Sequence, residues 1–131
     1  MFLKIAITFL VLWCVLFFNS CTSYGEYETF DGLTIYYNDN IATTKVNALG
    51  NYLEKNNFTN GEEKSIKIES NDTVYSLKMV IQPAFLDSAN YISQIEAYAI
   101  ILNKDVFGDS LKQIHLCDKY FEVKKSIKLD Q

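Results

Sequence analysis

The feature that most constrains the fold is a mostly apolar run of 14 residues near the amino terminus, from Ile5 to Phe18. The run follows one positive charge, Lys4, and it stops at Asn19-Ser20-Cys21. Fourteen residues suit the core of an export signal and fall short of the roughly 20 residues that span a bilayer as a helix. We therefore expect residues 1–20 to be removed, so that only the chain after them folds as a domain.

The end of this run resembles the signal of bacterial lipoproteins. A small residue, Ser20, comes directly before Cys21, at the point where the signal peptidase requires a small side chain. The resemblance implies that the Cys21 thiol is joined to diacylglycerol, that the bond after Ser20 is cut, and that the new amine is acylated. Each buried methylene contributes about 0.8 kcal/mol, so two or three acyl chains would hold the protein at the membrane. An uncleaved membrane anchor and an ordinary secretory signal are the alternatives.

The rest of the chain is acidic and contains no arginine. All 12 basic residues are lysine, and loss of Lys4 with the signal would leave 11 lysines against 16 acidic residues, a net charge of −5. Nucleic-acid affinity depends on cationic contacts to phosphate, and arginine supplies the bidentate fork that recognises phosphates and carboxylates. The composition therefore argues against a nucleic-acid partner.

The patterning after the signal predicts a lipidated cysteine and tether over residues 21–32 and one domain over residues 33–129. Residues 33–38 alternate as a strand, and a helix follows, beginning near Asn40 or Thr43 and ending near Asn56 or Asn57. The helix has one apolar stripe, formed by Ala42, Val46, Leu49 and Leu53. Residues 64–81 alternate as a hairpin about Asn71-Asp72, which would place Ile68 opposite Tyr75.

The second half of the domain repeats this alternation of strands and a helix. Asp87 or Ser88 is expected to cap a helix whose stripe consists of Ile92, Ile95, Ala99, Leu102 and Val106. Residues 113–129 read as two strands, and a turn at Asp118-Lys119 would pair Ile114 with Val123. The resulting β-α-β-β-α-β-β order predicts an α+β domain with a ferredoxin-like split βαβ sheet, which carries two helices on one face and leaves the other face partly open.

This domain is similar to small exported bacterial domains from uncharacterised families. The residues that carry the similarity are mainly core and turn residues, namely Tyr36-Tyr37, Leu49-Gly50, Tyr52-Leu53, Val106-Phe107-Gly108 and His115-Leu116-Cys117-Asp118. The similarity implies a fold and no activity.

One cluster could carry chemistry. His115 and Cys117 leave the same face of a predicted strand, and the predicted hairpin sets Glu122 opposite His115. A thiol, an imidazole and a carboxylate could form a catalytic dyad or part of a metal site. However, side chains two apart on a strand are roughly 6.5 Å from each other, too far for a direct thiol–imidazole hydrogen bond. We expect a structural cluster with no metal and no cofactor.

Three functions are consistent with these patterns. The first is a membrane-tethered envelope lipoprotein that acts as a binding or structural module through its open sheet face. The second is a small inhibitor or immunity-type lipoprotein that docks one protein partner. The third is an enzyme that uses Cys117 and His115. We expect the protein not to be an enzyme, since phosphate-binding loops and the common hydrolase motifs do not occur in the sequence.

Overall fold

A computed structural model describes residues 24–129, so the predicted export signal and Cys21 lie outside the described residues. The described chain contains six strands and two long helices, in the order β1 (Glu26–Phe30), β2 (Leu33–Tyr37), α1 (Thr43–Lys55), β3 (Lys64–Asn71), β4 (Val74–Val80), α2 (Ala89–Asp105), β5 (Leu111–Cys117) and β6 (Val123–Lys128). A short 3-10 helix, Pro83–Phe85, lies between β4 and α2.

The strands form one mixed sheet and lie in the order of the chain, from β1 to β6. Each helix connects two neighbouring parallel strands, β2 and β3 through α1 and β4 and β5 through α2, and the other neighbours are antiparallel. The predicted α+β class with two helices is confirmed. The predicted ferredoxin-like order is wrong, because that fold places a further strand between the two strands that each helix connects.

The strand β1 lies in the segment that was predicted to be a tether. All five of its residues pair with β2, from Glu26 opposite Tyr37 to Phe30 opposite Leu33. A two-residue turn at Asp31-Gly32 joins the strands, and both residues have the positive φ that such a turn requires. The prediction of an irregular tether over residues 21–32 is therefore wrong for residues 26–30. The strand has little apolar alternation because it is an edge strand, largely exposed to solvent.

One core lies between the sheet and both helices. Alternate residues of the inner strands, such as Leu33, Ile68 and Leu77, meet the apolar stripes of the helices, and these residues are almost completely buried. Gly50 of α1 lies directly under the ring of Phe30, where a Cβ atom would collide with that ring. This glycine lets β1 pack closely against the helix.

The hairpin between β3 and β4 shows how register is set. Its loop is Asp72-Thr73, so Ile68 lies opposite Leu77 and not opposite Tyr75 as predicted. Asp72 takes the positive φ at the start of the turn. The difference of two residues leaves every side chain on its predicted face, because side chains alternate with a period of two.

Candidate functional site

The predicted cluster lies on and beside β5, where His115 is half-buried, Cys117 is buried and Glu122 is exposed. His115 leaves the face of the sheet that the helices do not cover, where its Nδ1 lies 2.7 Å from the Ser126 hydroxyl oxygen of β6. The pairing partner of His115 is thus Ser126.

Glu122 is not the partner of His115. The loop between β5 and β6 has five residues, 118–122, where a two-residue turn was predicted, so Ile114 lies opposite Ile127 and not opposite Val123. Glu122 is exposed and lies 3.4 Å from the Lys124 ammonium. The loop is longer because the Asp118 carboxylate accepts hydrogen bonds from the backbone N–H groups of Tyr120 and Glu122, which stabilises a wider turn.

Cys117 is completely buried at the end of β5. Its thiol contacts a backbone group, the carbonyl oxygen of His115, at 3.6 Å. Burial raises the pKa of the Cys117 thiol, and the opposing effect of the Lys78 charge is smaller. A nucleophilic cysteine requires a lowered pKa and an accessible sulfur atom, so this arrangement is suited to packing rather than to catalysis.

The β5–β6 loop folds over part of the open face. Phe121 has a positive φ of 60° and is buried, and its ring meets Tyr36 of β2 edge-on at a centroid distance of 5.8 Å. Tyr24 packs against both of these rings, at 5.1 Å from Phe121 and 5.6 Å from Tyr36. The loop and the chain before β1 therefore meet in an aromatic patch on the side away from the helices.

A second feature, a cavity of about 170 Å³, lies between α2 and the sheet. Its walls are mostly apolar and come from both helices and the central strands, including Leu53, Ile66, Leu77, Ile95, Leu102 and Ile114. Gln94 is exposed, and Tyr91 and Ile95 are half-buried, so the cavity reaches solvent beside the amino-terminal half of α2. An engineered apolar cavity of about 150 Å³ binds benzene, so this volume is sufficient for a small ring or a short aliphatic chain.

Tyr98 gives this cavity a polar group. It is one of the lining residues, its ring stacks on Phe58, and its hydroxyl is buried without a hydrogen-bond partner among the described residues. Burial raises the pKa of the Tyr98 hydroxyl, which keeps it neutral. A buried hydroxyl without a partner is costly, so a polar atom of a ligand that reached it would be bound favourably.

The cavity is not among the features predicted from the sequence. One side of α2 carries four large side chains at helical spacing, namely Tyr91, Ile95, Tyr98 and Leu102. The two tyrosines on this otherwise apolar stripe were the only sign of the cavity in the sequence.

Two further observations concern metal binding and membrane crossing. Within residues 24–129, no three His, Cys, Asp or Glu side chains are grouped so that they could hold a metal ion. The helices of this same part of the chain are too short or too polar to cross a bilayer.

Comparison with known proteins places the domain in a family. Residues 29–129 match the model of AF_1994_N, which is described as a family N-terminal domain. The chain belongs to this family. No curated protein and no solved structure matches the chain. The family match begins inside β1 and ends with the residue after β6, so it covers both helices, the cavity and the β5–β6 loop.

Proposed function

We propose that the protein is a lipid-anchored component of the bacterial cell envelope whose domain binds a small, mainly apolar molecule. The observation that carries the binding proposal is the apolar cavity, whose lining includes Tyr98, a residue with a buried hydroxyl that has no hydrogen-bond partner among the described residues. The anchoring proposal rests on the signal that ends at Ser20-Cys21. Together they describe a binding module that is held at the membrane.

An enzymatic role for Cys117 and His115 has little support. The thiol is buried, its pKa is raised by that burial, and the imidazole is directed at Ser126. His115 is also not among the residues that line the apolar cavity. We therefore propose that the domain binds its ligand without transforming it.

A protein partner is the second candidate, because exposed aromatic side chains border a wider groove at one end of the sheet. Tyr120 and Phe85 lie on two walls of this groove and are largely exposed. Large exposed apolar side chains around a concave surface are typical of protein-interaction sites. An inhibitor or immunity-type lipoprotein would use such a surface.

The anchoring proposal is tested by replacing the modified residue. Cys21→Ser removes the thiol that would carry the lipid, so we expect the protein to leave the detergent-soluble membrane fraction. Mass spectrometry of the wild-type protein should show an N-terminal peptide that begins at Cys21 and carries acyl chains. An unmodified peptide that extends upstream through Phe18 would contradict the anchor.

The binding proposal is tested with two probes that differ by one hydroxyl, benzene and phenol. We expect both probes to shift the NMR signals of cavity residues such as Leu102. Phenol should bind about two- to tenfold more tightly than benzene, because one neutral hydrogen bond contributes about 0.5–1.5 kcal/mol. Tyr98→Phe should remove this preference and leave the affinity for benzene unchanged.

The matched control is Tyr52→Phe. The Tyr52 hydroxyl already donates to the Asp105 carboxylate at 2.9 Å, and Tyr52 does not line the cavity, so this variant should keep the preference for phenol. If neither probe perturbs the cavity residues of the wild-type domain, the binding proposal is wrong.

A further inference from the structure

We propose that the open face of the sheet lies on the membrane surface, with the aromatic patch at the lipid–water interface. This patch consists of Tyr24, Tyr27, Tyr36 and Phe121. The inference rests on the lipid anchor proposed above and goes beyond it, because an anchored cysteine does not by itself determine which side of a domain faces the bilayer.

The short distance between the proposed anchor and the patch supports this orientation. Tyr24 is fixed on the open face by its ring contacts with Tyr36 and Phe121. Only Thr22 and Ser23 separate it from Cys21. Three steps along the chain, each of about 3.8 Å, span at most about 11 Å. The lipid attachment point therefore lies within about 11 Å of the patch, and the domain cannot place its helices against the bilayer while Tyr24 stays packed.

The side chains of the patch also suit a membrane interface. Tyr27 lies opposite Tyr36 on the same face, with ring centroids 5.9 Å apart, and it is 62% exposed. Tyrosine has an apolar ring and a polar hydroxyl, and it is enriched where proteins meet the headgroup region of a membrane. The exposed ring of Tyr27 is therefore better accommodated at this interface than in water.

The open face of the sheet carries mainly positive charge. Directly paired residues share a face of the sheet, so Tyr36, Lys67 and Lys78 form one row across it. Lys128, paired with Gln113, lies on this face as well, and the only acidic strand residue there is Glu69, which pairs with Lys78 at 3.0 Å. The acidic residues of the covering loop, Asp118 and Glu122, are balanced by Lys119 of the loop and by Lys124 of β6, which lies within 4 Å of both carboxylates.

This face is therefore net positive although the mature chain would carry a net charge of −5. The glutamates of β1, Glu26 and Glu28, leave the opposite side of their strand. Lysines near an anionic lipid surface each contribute about 1 kcal/mol of attraction. The distribution of charge thus favours the same orientation as the short connection to Cys21.

Single tryptophan reporters can test this orientation in the lipidated protein. The chain contains one tryptophan, Trp13, which would be lost with the signal. The fluorescence of the mature protein would therefore come from the introduced tryptophan only. Tyr27→Trp places the reporter in the patch. Ile101→Trp places it on α2, on the other side of the molecule, at a position that is 53% exposed. Both proteins are reconstituted into vesicles that contain anionic lipids and lipids with brominated acyl chains.

We expect Tyr27→Trp to show blue-shifted emission and to lose about half of its intensity to the brominated lipids, because aromatic rings at this interface reach the edge of the acyl region. Ile101→Trp should lose almost none. Thr29→Trp, which lies on the same face of β1 as Tyr27, provides a second reporter if Tyr27→Trp fails to fold.

The outcomes separate the two proposals. Flotation with the vesicles in a density gradient measures membrane attachment. If the protein floats but Tyr27→Trp is not quenched, or if Ile101→Trp is quenched equally, the orientation is wrong and the proposed anchor stands. If the wild-type protein does not float, both proposals are overturned. A blue shift that grows with protein concentration in the absence of vesicles would show a second copy on this face, and it would also overturn the membrane orientation.

Discussion

Cys117 is the only cysteine among the described residues, and its chemistry follows from its burial. Burial raises the pKa of the thiol, and the nearby charge of Lys78 only partly offsets this effect. A group whose pKa is higher in the folded state contributes stability below its unfolded pKa and loses it as the pH rises through the folded value. Cys117 should therefore be protonated and stabilising at neutral pH and destabilising only under alkaline conditions.

This environment predicts the reactivity of Cys117. In a fragment that begins at Thr22, Cys117 is the only thiol. We expect iodoacetamide to modify it slowly at neutral pH in the native domain and rapidly after denaturation, since the thiolate is the reactive species and the sulfur atom is buried. His115→Ala should change the native rate little. Rapid labelling of the native domain that is lost in His115→Ala would contradict this prediction and support an enzyme.

At the scale of secondary-structure elements, Asn103 connects α2 to β5. Its buried side chain donates to the Leu111 carbonyl oxygen at 2.9 Å and accepts from the Leu111 N–H at 2.8 Å. Both backbone groups at the start of β5 are therefore paired by one amide. The apolar stripe predicted for this helix did not include Asn103, because hydrophobic periodicity does not identify a buried polar residue.

The loss of this amide should destabilise the domain. Asn103→Ala leaves the Leu111 N–H and carbonyl groups buried and unpaired, at a cost of about 2–4 kcal/mol in the free energy of unfolding. Urea denaturation measures the change. Asn47→Ala, at an exposed position of α1, is the matched control and should change stability by less than about 0.5 kcal/mol. Equal effects of the two substitutions would show that Asn103 does not connect α2 to β5.

The elements that were predicted correctly are those in which the regularly spaced apolar side chains are buried in the core. The stripe of α1 was predicted correctly at Val46, Leu49 and Leu53, and Ser88 caps α2 as expected. The β5–β6 loop could not be predicted from local pattern. Its length depends on Asp118 binding two nearby backbone N–H groups and on Phe121 packing against Tyr36, and the second contact joins distant parts of the chain.

The candidate site was predicted in part. Sequence identified His115 and Cys117 as neighbours on one strand, but the partner of His115 depended on the loop length and was assigned wrongly. The cavity depends on how far α2 stands from the sheet. Tyr91 and Tyr98 indicate the side of the helix that lines the cavity, but they do not report that distance. Asp31-Gly32, in contrast, is a strong hairpin signal that should have revealed β1.

At the scale of the whole molecule, β1 determines where the domain begins. The predicted boundary at residue 33 would remove this strand, and with it the ring of Phe30 that packs over Gly50. It would also remove Tyr24 and Tyr27 from the aromatic patch. The backbone groups of β2 that face β1 would then form an exposed edge, which is open to pairing with another chain.

Two fragments therefore should differ in stability. A fragment of residues 33–129 should unfold at lower urea concentration than a fragment of residues 24–129, with a loss of at least about 1 kcal/mol, because Phe30 is half-buried and full burial of a phenylalanine side chain contributes about 1.5–3 kcal/mol. It should also self-associate in size-exclusion chromatography, since β2 becomes an edge strand.

A third fragment, which begins at Glu26, keeps β1 but lacks Tyr24, so it separates the effect of the strand from that of the aromatic contact. Equal unfolding midpoints for the fragments that begin at residues 24 and 33 would show that β1 contributes nothing to stability. The short connection between the proposed anchor and the sheet would then lose its physical basis.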